Sequence, residues 1–333
     1  MIPLFALFQR RIEGDDALLR LARLRFEQAG LAAEVYAGSV PELEWMLRFA
    51  PPTPHSPMVH LPRDLDLLAS DGPGRVATLA RQCGHQVSGF VVHDRRRLPD
   101  QLPDLVAVAE KLSAVLAATG PARLFIEYAV GLAAEQFVGI GAALRDVERI
   151  GLCVDIGHVG IRQARREFGR RHPARDLAAW HTSDPDLPDV IHDVQAAVAS
   201  GLGVVLELTK ALGDQGKPVH FHLHDGHPLI RGLSDHFGFL LRVPVPFEHE
   251  GQASLDPLYG VTGLRQIVDT AARALGPDRA SFTLEIHDHQ GRLPLPPQDA
   301  DRYFGRWRDL TNAERMNLWL RELAENAALV RAC

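Results

Sequence analysis

The chain has 333 residues, of which 46% are hydrophobic and 23% are charged, and its formal net charge is −6. These values are typical of a globular protein with one large domain or two ordinary ones. The balance of 36 basic and 42 acidic residues argues against a protein that binds DNA or RNA. The sequence shows no obvious apolar stretch of about 18 residues, so we expect no membrane span.

The opening segment, "MIPLFALFQRR", is too short for a signal peptide, and we interpret it as the first strand. The three cysteines, Cys83, Cys153 and Cys333, are scattered and odd in number. This pattern argues against a disulfide framework and against a thiolate zinc site. We therefore expect a cytoplasmic protein.

Eight short apolar runs along the chain are predicted to be β-strands. Most of them are nearly continuous rather than alternating in polarity, which is typical of parallel strands that are covered on both faces. The predicted strands span residues 3–8, 32–38, 57–61, 89–94, 123–128, 151–158, 218–225 and 281–288.

Amphipathic segments between the strands are predicted to be helices, and several begin with acidic residues and end at a glycine. They include residues 15–30, 102–120, 133–151, a long helix that ends near residue 215, and 312–332. Eight strands that alternate with helices predict a single (β/α)8 TIM-barrel domain over residues 1–333. The structural alternative is a doubly wound open sheet, but no glycine-rich phosphate loop follows the first strand.

Two connections are longer than the others. They are insertions at about residues 162–188 and 231–260, and they follow the sixth and seventh strands. A barrel carries its active-site loops at the C-terminal ends of its strands. We expect these segments to be extended loops that form a lid or a substrate wall.

Side chains that commonly bind metal ions stand at the ends of the predicted strands. They are His60, His93, Glu127, Asp155, His158, His222, Asp225 and Glu285. Strand ends converge at the mouth of a barrel, so these residues are expected to be neighbours. Each one alone is as well explained by a structural hydrogen bond, but together they suit a divalent ion such as Mn²⁺, Mg²⁺, Co²⁺, Zn²⁺ or Fe²⁺. Clustered carboxylates without a cation would raise one another's pKa values.

The segment "VHFHLHDGHP", residues 219–228, is the most concentrated part of this pattern. On an extended strand, His220, His222 and His224 point to one face. We expect His222 to be a metal ligand, His224 to support it, and His220 to be structural.

These residues resemble those of the xylose isomerase-like TIM-barrel superfamily, which also contains endonuclease IV. The resemblance spans nearly the whole chain and rests on four motifs that follow one another about one βα unit apart. The motifs are Glu127 in "FIEYAVG", Asp155 and His158 in "CVDIGH", His222 and Asp225 in "HLHD", and Glu285 in "TLEIH". The resemblance implies that Glu127, Asp155, His222 and Glu285 hold a divalent metal.

Our first prediction follows the sugar isomerase and epimerase branch of this superfamily. The resemblance implies that one metal chelates neighbouring oxygens of a sugar or related polyol and stabilises an enediolate. Glu127 and Glu285 would remove and return the proton next to the carbonyl, and His158 would hold a substrate hydroxyl. The related inosose dehydratases would use the same residues to eliminate water.

The alternative is a phosphoester hydrolase with two or three metal ions, as in endonuclease IV. In that branch two histidines on earlier strands are ligands, and His60 and His93 stand at such positions. Arg95 and Arg96 in "HDRRR" are candidates for binding phosphate.

Further candidates for a second metal or for the substrate are Asp225, His227, Asp235 and His236. The "D-x-H" pair of endonuclease IV is not cleanly present, because Asp235 and His236 are adjacent, so the pattern does not predict a third metal. The sequence also lacks the broad basic face that a DNA enzyme needs, and we expect a small-molecule substrate.

A third alternative is a barrel that binds a metal-chelating ligand without converting it. The long loops could also cover the mouth of a neighbouring subunit, so a homo-oligomer stays open.

Overall fold

The computed structural model describes residues 2–8, 15–129, 131–180, 184–229, 236–239, 256–286 and 311–333. Eight parallel strands form a closed barrel in sequence order, which confirms the predicted (β/α)8 fold. The strands are β1 (Leu4–Phe8), β2 (Ala32–Tyr36), β3 (Met58–His60), β4 (Gly89–His93), β5 (Arg123–Glu127), β6 (Ile150–Asp155), β7 (Val219–Leu223) and β8 (Ala280–Leu284).

Helices connect these strands, as the amphipathic segments predict. They are α1 (Asp16–Ala29), α2 (Val40–Phe49), α3 (Gly72–Cys83), α4 (Leu102–Thr119), α5 (Ala134–Ala143), α6 (Ile156–Arg171), α7 (Leu187–Gly213), α8 (Gly260–Leu275) and α9 (Asn312–Arg331). Short 3-10 helices lie at Gly84–Gln86, Leu98–Asp100 and Leu177–Ala179.

The chain divides into two compact units. The first comprises Met1–Asp155, Leu208–His222 and Ala271–Leu284, and it therefore contains all eight strands of the barrel except Leu223, the last residue of β7. The second comprises Ile156–Glu207, Leu223–Thr270 and Glu285–Cys333. That the whole chain is a single domain stays a prediction.

The first unit has an apolar cluster with one residue from each of the strands β1 to β6. These residues are Phe5, Ala32, Met58, Val91, Phe125 and Cys153. Burial of each phenylalanine ring stabilises the fold by about 1.5–3 kcal/mol. Gly151 makes room for this packing, because a Cβ atom there would lie 2.8 Å from the Phe125 ring.

Two predicted boundaries are wrong around β6. The helix predicted over 133–151 ends at Ala143, because Ile150 pairs with Leu124 in the sheet instead of continuing the helix. The strand predicted over 151–158 ends at Asp155, and helix α6 begins at the next residue. His158 is consequently in the first turn of a helix and not at a strand end.

The first predicted insertion is partly helical, since α6 continues through Arg171 before a turn leads to the 3-10 helix at Leu177–Ala179. In the second, 231–260, residues 231–235 and 240–255 lie outside the described part of the chain.

Helix α7 is long and apolar enough to cross a membrane by length and composition alone. Its most apolar 18 residues have a mean hydropathy of 1.4, and 44% of them are buried. This stretch was not recognised in the sequence as an apolar run of about 18 residues. One such helix is weak evidence for a membrane span, because the core helix of a globular protein has the same properties. The absence of a membrane span stays a prediction.

Candidate metal centre

The first unit brings five of the predicted ligands together at the C-terminal ends of adjacent strands. They are His60 on β3, His93 on β4, Glu127 on β5, Asp155 on β6 and His222 on β7. The sheet register pairs His93 with Glu127 and Asp155 with His222. Paired residues on adjacent strands lie about 5 Å apart, so their side chains can meet.

Glu127 is the centre of this group and is 1% exposed. Its Oε2 atom lies 3.2 Å from Nε2 of His60 and 3.1 Å from Nε2 of His93. Within the described ranges, Oε2 makes no hydrogen bond of ordinary geometry to either ring. Two ligands of one cation stand about 3.0–3.4 Å apart when each metal–ligand bond is about 2.1 Å long. The observed separations fit a shared cation.

The hydrogen bonding of His60 supports this interpretation. Its Nδ1 atom lies 3.0 Å from the carbonyl oxygen of Leu61, which can only accept, so Nδ1 carries the proton. In the neutral ring Nε2 then has a lone pair, and this lone pair faces the Glu127 carboxylate. Two acceptors at this distance repel each other unless a positive charge lies between them. A proton on Nε2 or a bound cation would supply that charge.

The other oxygen of Glu127 belongs to a second group. Oε1 lies 3.1 Å from Nδ1 of His222, and ligand atoms of Glu127, Asp155 and His222 all lie within 4.8 Å of one another. These three side chains are buried. The two carboxylate oxygens of Glu127 therefore face two different sets of ligands.

Glu34 of β2 is a member of this site that was not predicted from the sequence. Its side chain is fully buried, and Oε1 lies 3.0 Å from Nε2 of His222. Ligand atoms of Glu34, His60 and His222 also lie within 4.8 Å of one another. A signal was present in the sequence, because a charged residue inside the apolar strand "AAEVY" needs a buried partner.

The histidines hold the buried glutamates in their charged form. Burial alone would raise the pKa of Glu127, but the positive charge that His93, His222 and His60 carry when protonated keeps that pKa well below its usual range. Burial would likewise raise the pKa of Glu34, and His222 and His220 lower it. Burial alone would lower the pKa of His60, but the Glu127 carboxylate raises it. The group therefore combines anionic oxygens with imidazole nitrogens, a donor set that suits divalent cations.

The second unit holds another buried group of predicted residues. Glu285 follows β8 directly, and its Oε2 lies 3.3 Å from Nε2 of His236. The rings of His224 and His236 stack with centroids 4.1 Å apart, and the His158 ring lies 6.0 Å from that of His236. Ligand atoms of His224, His236 and Glu285 lie within 4.8 Å of one another, so this group could also hold a metal ion.

The geometry assigns Asp225 a structural role rather than that of a ligand. Its carboxylate accepts hydrogen bonds from the backbone N–H groups of Gly226, Tyr259 and Gly260, at 2.8, 3.2 and 2.8 Å. Gly260 is the first residue of α8, so Asp225 caps that helix.

His227 is buried and neutral, since burial lowers its pKa to about 3. Its Nδ1 accepts a hydrogen bond from the backbone N–H of Leu229. Neither His227 nor Asp225 belongs to a group of potential metal ligands in the described part of the chain. Asp235 lies outside the described residues.

The two arginines predicted to bind phosphate differ in their surroundings. Arg95 donates to the backbone carbonyls of Arg63 and Leu65, and its guanidinium lies 3.7 Å from Asp66. These contacts use the side chain to fix a loop, which argues against a free phosphate clamp. Arg96 is exposed.

No protein-family model and no curated protein sequence matches this chain. The superfamily suggested by the sequence motifs therefore stays a prediction. The donor set, the burial and the ligand separations fit a divalent metal ion, whose identity is open.

Proposed function

We propose that this protein is a metal-dependent hydrolase that binds two divalent cations side by side and cleaves a phosphoester of a small molecule. The observation that carries the proposal is the position of Glu127 between two ligand sets. One oxygen faces His60 and His93, and the other faces His222. A carboxylate shared in this way is suited to bridge two cations, which is the arrangement of many phosphoester hydrolases.

The residues of the first unit have distinct roles in this proposal. His60 and His93 would hold one cation together with Glu127, while Asp155 and His222 would hold the other. When bound, the cations would activate water and stabilise the negative charge that develops on the phosphoryl oxygens. The protein keeps its carboxylates ionised and its His60 ring oriented, so the ligands are arranged before the cations bind.

Phosphate recognition in this proposal involves Arg63 rather than Arg95. Burial is the main cause that lowers the pKa of His93, and the positive charge of Arg63 lowers it further. Arg63 is exposed, whereas Arg95 is engaged with the loop backbone. An exposed guanidinium whose charge acts on a candidate cation ligand is suited to bind a phosphoryl oxygen.

The experiment that tests the proposal is turnover by protein reconstituted separately with Zn²⁺, Mn²⁺, Fe²⁺ and Co²⁺. We expect hydrolysis of small phosphomonoesters or phosphodiesters, such as the p-nitrophenyl compounds. Glu127→Gln should abolish it, and Arg63→Gln should raise KM more than it lowers kcat. The matched control is Asp176→Asn, a change of the same kind at an exposed carboxylate that pairs with Arg165 and caps a short 3-10 helix. Absence of hydrolysis with every metal, in protein that contains two cations, would contradict the proposal.

Isomerisation of a sugar or related polyol is the second candidate. It is favoured by the group of Glu127, Asp155 and His222, which would suffice for a single cation. His60 and His93 would then contact substrate hydroxyls instead of metal. Incorporation of deuterium from D₂O into a keto-sugar or polyol, with one cation per chain, would favour this reaction over hydrolysis.

A further inference from the structure

Glu34 has one oxygen held by hydrogen bonds and another that faces a histidine ring. Its Oε2 atom accepts hydrogen bonds from the hydroxyl of Thr283 and from Nε2 of His220, the latter at 3.2 Å. These contacts fix the carboxylate, whose side chain is fully buried. Its Oε1 atom lies 3.0 Å from Nε2 of His222, yet within the described residues Oε1 makes no hydrogen bond of ordinary geometry. A different interaction must explain this short contact.

The hydrogen bond between His222 and Glu127 determines which nitrogen of the ring has the lone pair. Glu127 is ionised and can only accept, so the ring donates its Nδ1–H to Oε1 of Glu127 at 3.1 Å. In the neutral ring Nε2 then has the lone pair, and this atom lies beside Oε1 of Glu34. His60 is held in the same way, because its Nδ1–H is donated to the carbonyl oxygen of Leu61. Both rings therefore have their lone pair on Nε2.

A cation bound by both Glu34 and His222 would explain a short contact that is not a hydrogen bond. When two ligand atoms 3.0 Å apart each bind one metal at about 2.1 Å, their lone pairs point about 45° away from the line that joins them. A hydrogen bond needs the N–H group to point along that line. His60 supplies a third ligand, since ligand atoms of Glu34, His60 and His222 all lie within 4.8 Å of one another. Two imidazole nitrogens and one carboxylate oxygen are a donor set that suits zinc.

We propose that Glu34, His60 and His222 form a further cation position, which takes the first divalent cation that enters the protein. Each imidazole ligand has its other nitrogen held by an acceptor, which is the usual arrangement around a bound metal. His60 has a single lone pair, so it binds either this cation or the one that it would share with His93. The cation pair around Glu127 therefore forms only when more metal is added and His60 leaves the position at Glu34.

This inference rests on the metal centre of the proposed function, but not on the reaction that the centre catalyses. The first test is nitrogen-15 NMR of the wild-type protein, labelled at its histidines and loaded with one equivalent of Zn²⁺. Variants in which His60, His93 or His222 is replaced by Gln assign the resonances. We expect zinc on Nε2 of His60 and of His222, with both Nδ1 atoms protonated, and no zinc on His93. Zinc on His93, or on Nδ1 of His222, would overturn the proposal.

The second test is the Zn²⁺ affinity of Glu34→Gln, measured by calorimetric titration of the metal-free protein. The amide preserves the size of the side chain but removes the charged ligand, so we expect the affinity for the first cation to fall by about 100-fold or more. The control is His93→Gln, which changes another candidate ligand of the same centre and should lower the affinity only for a later cation. Urea unfolding without metal shows whether both variants fold. If Glu34→Gln does not fold, the wild-type NMR measurement decides.

Two results of the titrations would overturn the proposal. Unchanged affinity for the first cation in Glu34→Gln would show that Glu34 is not a ligand. An equal loss of that affinity in His93→Gln would place the first cation between His60 and His93. If the two variants differ as expected and the loaded protein hydrolyses no phosphoester, the cation position stands and only the proposed function fails.

Discussion

Glu127 and His222 are 95 residues apart in the sequence, yet Oε1 of the carboxylate lies 3.1 Å from Nδ1 of the ring. The closed barrel explains this contact, because the C-terminal ends of β5, β6 and β7 are adjacent. Glu127 uses its other oxygen to face His60 and His93. The two oxygens of Glu127 therefore face two different groups of ligands, and a change at this residue is expected to affect both groups.

Removal of the metal should destabilise the protein. Buried carboxylates that face lone pairs are stabilised by a bound cation, and a ligand at 100 times its Kd adds about 2.7 kcal/mol to the free energy of unfolding. We expect a chelator such as dipicolinate to lower Tm, and Zn²⁺ or Mn²⁺ to restore it. Elemental analysis before and after dialysis measures the metal content, and calorimetry measures Tm. An unchanged Tm in protein that has lost its metal would contradict this expectation.

Glu127→Gln should weaken the binding of two cations, whereas His93→Gln should weaken only one. The reason is that Glu127 contributes to both groups of ligands, while His93 belongs to a single one. We expect the affinity of the affected sites to fall by about 100-fold or more, since loss of a direct ligand exceeds the effect of a supporting residue. The number of metal ions retained after parallel dialysis compares the two variants. Equal losses in both would argue against a bridging carboxylate.

Gly157→Ala should destabilise the second unit. A Cβ atom at this position would lie 1.9 Å from Cε1 of His224, so the ring or helix α6 would have to move. Such overpacking costs about 1–3 kcal/mol. The control is Gly169→Ala in the same helix, where the described residues place no atom from beyond the chain neighbours and the helix backbone within 4 Å of the added methyl group.

The control should be stabilised by up to about 1 kcal/mol, because alanine has the higher helix propensity. Urea unfolding of both variants measures the difference. If Gly157→Ala proved as stable as Gly169→Ala, the close contact between helix α6 and His224 would be wrong.

Lys217 should make stability depend on pH in the alkaline range. Burial lowers its pKa from 10.5 to about 8, and Nζ donates to the carbonyl of Val147. The folded state therefore releases the proton more readily than the unfolded state. As the pH rises from about 8 to 10.5, the free energy of unfolding of the wild type should increase relative to that of Lys217→Met. Denaturant titrations at pH 7 and pH 10 test this, and an unchanged difference between the two proteins would contradict it.

The sequence was sufficient to predict the barrel and most of the candidate metal centre. A chain in which continuous apolar strands alternate with amphipathic helices is compatible with few folds. In a parallel barrel, the C-terminal ends of all the strands meet at the same end of the barrel. His60, His93 and Glu127 could therefore be predicted as neighbours without any contact being known. The same reasoning failed for His158, because helix α6 begins directly after Asp155, with no loop between the strand and the helix.

Only the tertiary structure decided how the side chains share their protons and charges. A pattern of residue types does not determine whether a carboxylate faces a donor or a lone pair, since that depends on ring orientation and on partners from distant strands. Glu34 shows the difference, because its partners Thr283 and His220 come from β8 and β7. The sequence by itself determined which chemical groups reach the end of the barrel. The packing of the strands determined that Glu127 lies between two sets of ligands and that Glu34 faces the second nitrogen of His222.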